Sequence, residues 1–216
     1  PIGRDRPTLR RLSCIKSAAR VAVVLATGAV VAACTGPGDS EETRLISGYA
    51  GMAAADEPRA ATVGREILAN NGTAADAATA MAFAMTVTLP SRVGVGGGGV
   101  CVVADREAQR VEAISFLPRR SAEGGVVPGL ARGLAVLHAR HGARDWRQVV
   151  SPAERLARFG HLTSRAFRRD LDAGAGRLNG PARARYLNDD GTLPQVGQRI
   201  RQPALSAVLS GIRQQG

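Results

Sequence analysis

Four consecutive glycines, Gly96 to Gly99, run directly into Val100-Cys101-Val102-Val103, and this junction constrains the chain more than any other stretch. Glycines in series let backbone approach something closely, and a β-branched run just after them reads as a buried strand. Upstream, Asn71-Gly72 supplies a left-handed helix stop, and Thr73 with Asp76 three residues on reads as a capping box. The helix this predicts, Ala74 to about Val87, carries Ala, Met and Phe on nearly every face. A helix apolar all round belongs between two layers.

The remaining elements follow from periodicity and punctuation. Ile46–Ala55 reads as a first strand, and Arg59 to Asn70 as a helix through Val63, Ile67 and Leu68. Val100–Ala104 and Arg110–Phe116 read as two strands joined across 105–109, a hairpin. Pro128 opens a helix carrying Leu130, Leu134 and Leu137 that stops at Gly142. Ser151-Pro152-Ala153-Glu154 reads as a capping box with proline at the first helical position, and Gly160 ends that helix. Ser164 caps a further amphipathic stretch to about Leu171, Asp189-Asp190-Gly191 is a turn, and Pro203 opens a last helix. Long helices mixed with a hairpin predict a layered α+β fold, including an αββα arrangement, over a doubly wound sheet.

With 216 residues and 44% hydrophobic content the chain can bury a core, but aromatics are only 3%, so Ala, Val, Leu and Ile must fill it. Net charge is +11, and Lys16 is the only lysine. Such a balance can serve nucleic acid or an anionic surface. The arginines, however, are scattered beside Glu and Asp, with no stacking aromatics and no recognition motif, so no nucleic-acid partner is expected. Part of the excess is local, since residues 1–34 hold six basic residues and one acidic.

That N-terminal segment reads as an export signal. Arg10, Arg11, Lys16 and Arg20 precede a short apolar run from Val21 to Val31, too short to span a bilayer comfortably. It ends in Val31-Ala32-Ala33-Cys34, which resembles the lipobox of bacterial lipoproteins, and so implies lipidation at Cys34. A signal peptide with a chance cysteine is the alternative. Residues 35–46 then form a solvated tether, and the folded region spans 47–216. Thr35 after the cysteine implies a lipid-anchored protein on the periplasmic side, at the outer membrane more than the inner. The first residue is Pro1, so the true start is expected upstream.

Few residues announce chemistry. The glycine run is no phosphate loop, because no Lys-Ser or Lys-Thr follows and it feeds a strand. His138 and His141, at i and i+3, lack a third ligand at matching spacing, so no metal is expected. His161, just past a helix end, reads as a cation complementing the dipole. Cys14 and Cys34 fall in the signal region, leaving Cys101 as a small core residue of a buried strand.

The order of these pieces resembles the large subunit of the γ-glutamyltranspeptidases, an N-terminal-nucleophile hydrolase family. The resemblance is carried by Gly51-Met52-Ala53-Ala54, Asn71 to Ala78, Gly94 to Gly99, Val127-Pro128-Gly129, Ser151-Pro152-Ala153 and Gln202-Pro203-Ala204-Leu205, in register over roughly 170 residues. It implies an αββα sandwich, of which this chain is an incomplete large-subunit part, and no cofactor. It implies γ-glutamyl transfer from glutathione to water or an amine, and a small subunit cut from the same proenzyme as partner. The family's nucleophile is a threonine exposed by self-cleavage. No Thr-Thr-His-type junction stands here, so no catalytic residue is expected in this chain. Related readings are a β-lactam-acylase-like amide hydrolase and a non-catalytic lipoprotein keeping the scaffold. The family also carries Phe-Arg-Glu after the second hairpin strand, its arginine binding the substrate's α-carboxylate. Here Phe116-Leu117-Pro118 stands instead, followed by Arg119 and Arg120, which become the substrate-binding candidates; two solvent-facing loop arginines are the plainer alternative.

Overall fold

A computed structural model describes residues 51–215. The signal segment with Cys34, the tether and the first half of the expected strand at Ile46–Ala55 lie outside the described residues. Gly51–Ala55 carries no strand pairing, a correction to the expected first strand: among the described residues no neighbouring strand is offered to it. Ala55 instead packs on the first helix layer.

Helix α1 (Pro58–Ala69) starts at Glu57, whose buried carboxylate accepts the Ala60 N–H at 3.0 Å. It ends where Asn71 adopts φ 61°, so asparagine supplies the left-handed stop. Helix α2 (Ala74–Thr88) begins with the expected box: Thr73 Oγ1 accepts from Asp76 N, and Asp76 Oδ2 accepts from Thr73 N. As predicted, α2 is buried on two sides. Ala77, Ala80 and Ala84 join Val63 and Ile67 of α1, while Ala75, Phe83 and Val87 face the opposite cluster.

That second cluster holds the hairpin. Strands β1 (Val100–Asp105) and β2 (Arg110–Ser115) pair antiparallel, Val102 opposite Ala113. A strand's side chains alternate between faces. Cys101, Val103 and Ile114 therefore point to the helices, where burial pushes the Cys101 thiol pKa up. The other face, Val100, Val102, Ala104, Val111, Ala113 and Ser115, is exposed. The strand expected to be buried is thus covered on one face only among the described residues, and its uninterrupted apolar run reflects two apolar faces.

Two-residue strands β3 (Arg119–Arg120) and β4 (Val126–Val127) form a second small ladder. Helix α3 (Leu130–His141) buries Leu130, Leu134 and Leu137 and stops at Gly142. Helix α4 runs Trp146–Phe159, which corrects the start expected at Ser151. Asp145 caps it by accepting the Arg147 N–H at 2.8 Å, and Pro152 lies inside the helix. The physical reason is the continuous apolar stripe Val149, Val150, Ala153 and Ala157, which holds the helix together across a proline that offers no N–H.

Strand β5 (His161–Leu162) follows, then α5 (Arg165–Gly174), capped by Ser164 as expected. A 3₁₀ turn (Ala175–Arg177) leads to α6 (Gly180–Tyr186), a short helix not anticipated. Strand β6 (Arg199–Ile200) pairs with β5, and α7 (Pro203–Gln215) packs on α4, where buried Glu154 holds Arg158 and Arg213. His161 is not the expected cation. It is 1% exposed, with its Nε2 3.4 Å from Gln202 Nε2, and burial pushes its pKa down.

Candidate functional site

The glycine run closes on Phe116. The Phe116 N–H donates to Gly99 O at 2.9 Å, extending the β1–β2 ladder past its ends. A Cβ at Gly98 would overlap the Phe116 carbonyl, one at Gly129 would do the same, and one at Gly133 would overlap the ring. Gly97 O accepts both the Gly129 and Leu130 N–H groups, at 2.9 and 3.0 Å, tying the run to the start of α3. Loop, hairpin exit and helix start therefore converge on one phenylalanine.

Beside that convergence lies a cavity of about 460 Å³, lined among others by Phe116, Leu117, Arg119, Arg132, Gly133 and Arg140. The structure separates the two candidate arginines. In β3 they oppose Val127 and Val126, and consecutive strand residues point to opposite sides. Arg119 lines the cavity and Arg120 does not. Leu117 lines it too and is exposed.

The electrostatics of the cavity are cationic. Arg140 pairs with Glu112, whose carboxylate also meets His141 Nε2 at 3.1 Å. The His141 ring, and then the Arg140 guanidinium, hold the Glu112 carboxyl below its ordinary range. Arg119 and Arg132 make no side-chain hydrogen bond or ion pair among the described residues. Sequence reasoning missed Arg132 and Arg140, although their eight-residue separation on one helix places them on the same face as Gly129 and Gly133.

The two histidines of α3 part company. His138 Nε2 lies 2.9 Å from the Arg144 carbonyl and 3.4 Å from Asp76 Oδ1, while His141 serves Glu112. Among the described residues no group of three His, Cys, Asp or Glu is placed to hold a metal. No described helix is long and apolar enough to cross a membrane.

Comparison with known proteins gives this arrangement a family. The family model described as Gamma-glutamyltranspeptidase matches residues 60–125 and 116–216. Glutathione hydrolase 2 of Arabidopsis thaliana is 29% identical over 189 residues, 79% of this chain and 33% of that protein. The gamma-glutamyltranspeptidase of Helicobacter pylori superposes with a TM-score of 0.70 at 24% identity, over 77% of this chain and 54% of that one. That of Pseudomonas nitroreducens complexed with L-DON gives 0.65 at 26% identity, over 77% and 55%. The chain spans about a third or less of the length of curated relatives such as these glutathione hydrolases. The mixed helix-and-sheet architecture is of the N-terminal-nucleophile hydrolase type. With helices packed on one face of its hairpin, the glycine run pinned to Phe116 and a family match over most of its length, the chain belongs to the γ-glutamyltranspeptidase family.

Proposed function

We propose that this chain is the large-subunit portion of a γ-glutamyltransferase or glutathione hydrolase, whose catalytic threonine lies outside it. The observation that carries this reading is the cationic cavity at the exit of β2, the stretch in which the resemblance expects a carboxylate-binding arginine, with Arg119 in its lining just beyond Leu117 in the chain. A guanidinium fork suits a carboxylate because it offers two parallel charge-assisted hydrogen bonds. In the chemistry of the family, the freed α-amine of the threonine takes the hydroxyl proton, and the hydroxyl attacks the γ-glutamyl amide. Backbone donors stabilise the oxyanion; its collapse breaks the amide C–N bond, the protonated α-amine gives its proton to the departing amine, and water or an acceptor amine then displaces the glutamyl group from the threonine ester. Arg119 positions the substrate and takes no proton. Arg120, facing away from the cavity, is a solvent-facing strand residue.

The exposed valine–alanine face of β1–β2 supports a second half of the sandwich, contributed by a small subunit of the same proenzyme. Anchoring at the periplasmic face through lipidated Cys34 completes the proposal, and rests on the Val31-Ala32-Ala33-Cys34 sequence alone. Lipid labelling that persists in Cys34→Ala would remove the anchor.

Activity is tested on the full-length product of the gene, with a γ-glutamyl anilide and a glutaryl-cephalosporin offered in parallel. Turnover of the anilide is expected. Turnover of the cephalosporin alone identifies an acylase, and turnover of neither identifies a scaffold without catalysis. This chain on its own is expected to release no glutamate from glutathione, and release above background places a nucleophile within it.

A further inference from the structure

A second cavity, of about 480 Å³, opens between the segment Pro90–Arg92 and the α5–α6 region, and shares no lining residue with the Arg119 cavity. Its floor is apolar: Phe167, Leu171, Leu178 and Tyr186, with the Phe167 and Tyr186 rings edge to face at 5.5 Å. Cavities of this size with an apolar floor and few polar groups are typical of small-ligand sites.

The rim carries the discrimination. On one side Arg92 Nε donates to Asp170 Oδ2 at 2.8 Å and Nη2 to Oδ1 at 3.2 Å, and Ser91 Oγ donates to Oδ2 at 2.8 Å. Both oxygens of Asp170 are therefore occupied, and the carboxylate offers no unpaired negative charge to a ligand. On the other side Arg177 makes no hydrogen bond or ion pair among the described residues. Its Nη2 lies over Gly174, 3.8 Å from where a Cβ would stand, at the cavity mouth. Arg92 also meets Asp56 Oδ2 at 3.4 Å and Asp170 also meets Arg169 Nε at 3.7 Å, so the positive group that stands without a partner at this rim, among the described residues, is the Arg177 guanidinium.

The geometry points to a binding site for a small apolar carboxylate, its aryl or alkyl body on the Phe167–Tyr186 floor and its carboxylate on Arg177. A planar guanidinium without a protein partner is matched to a carboxylate in geometry as well as charge. The floor excludes strongly polar bodies, because their groups would be desolvated there without partners.

Binding is measured on the full chain by ligand-observed NMR, with 4-phenylbutyrate as probe and 4-phenylbutyramide as its neutral counterpart. The carboxylate is expected to bind more tightly, by about tenfold, as a charge-assisted hydrogen bond implies. Arg177→Gln should erase that preference and leave the amide unchanged. Ala173→Trp, an exposed residue that also lines the cavity, should weaken both probes. Equal binding of the two probes, a preference that survives Arg177→Gln, or no saturable binding overturns the proposal. So does binding that Val102→Thr abolishes and Ala173→Trp spares, since the ligand would then sit on the exposed sheet face. Far-UV circular dichroism of Arg177→Gln should match the parent, so that loss of preference reads as lost charge.

Discussion

Gly133 lies where a single added carbon would overlap the ring of Phe116. The contact joins a residue of α3 to the exit of β2, and so determines how close the helix sits to the hairpin. Gly133→Ala is expected to destabilise the fold by about 1–3 kcal/mol through overpacking. Phe116→Ala, which removes the overlapping Cγ and Cδ1, should make the double variant lose less than the sum of the two single losses, a coupling read by chemical denaturation. Additive losses would mean that the ring is not the obstacle.

Asp76 is fully buried and accepts N–H groups from Thr73, Ala143 and Arg144 at 2.9, 3.0 and 3.2 Å. It thereby closes the N-terminus of α2 and anchors the α3–α4 connection 67 residues away. Asp76→Asn keeps the shape but weakens the charge-assisted bonds and presents an amide to N–H donors. A loss of about 1.5–3 kcal/mol is expected in thermal or denaturant unfolding. Glu66→Gln, on an exposed position of α1, serves as the neutral control.

Arg119→Ala and Arg120→Ala should part in kinetics of the full-length enzyme. Replacing a charge that becomes desolvated against substrate costs about 2–5 kcal/mol in transition-state stabilisation. That loss is expected for Arg119, with Arg120→Ala near neutral. Equal, small effects would show that the cavity does not hold the substrate carboxylate.

Among the groups that make stability depend on pH, His161 and Asp170 act in separate windows. Burial depresses the pKa of His161 below its ordinary 6.5, with Glu57 opposing and Arg59 reinforcing the shift. The folded form thus binds fewer protons than the unfolded, and stability falls as pH drops below about 6.5. His161→Gln should flatten that slope. The Arg92 hydrogen bond, with Ser91 after it, holds Asp170 at about 2 against an ordinary 3.8. Its contribution is fully present above the ordinary value and is lost as pH falls from there towards 2. Asp170→Asn should make the acid limb shallower and leave the His161 window unchanged, as followed by melting temperature against pH.

Local chemistry is legible in the amino-acid sequence. The Thr73–Asp76 box, the Ser164 cap and the β1–β2 hairpin each depend on residues within a few positions, and each forms as expected. Long-range causes are not legible in the same way. The glycine run announces a close approach but not its object, because Phe116 and Gly133 lie well downstream. His161 sits at a helix end, as expected, yet Gln202 packs on it from 41 residues away and removes the water a cation needs. Ser151-Pro152 carries the letters of a helix start, and only the stripe running through it from Val149 to Ala157 reveals an interior proline. Of the cavity, Arg119 is legible by position, whereas Arg132 and Arg140 emerge only when the helix is set against the hairpin.

The exposed face of β1–β2 is built only from valine, alanine and serine. Stacked sheets stand roughly 10 Å apart, and short side chains fill less than half of that depth. Whatever layer closes over this face therefore has to supply the bulk, with large residues reaching down between the valines. In a chain with 3% aromatics, that division of volume makes the hairpin the socket and its partner the plug. Enlarging Val102 should then be tolerated in this chain alone and rejected on assembly.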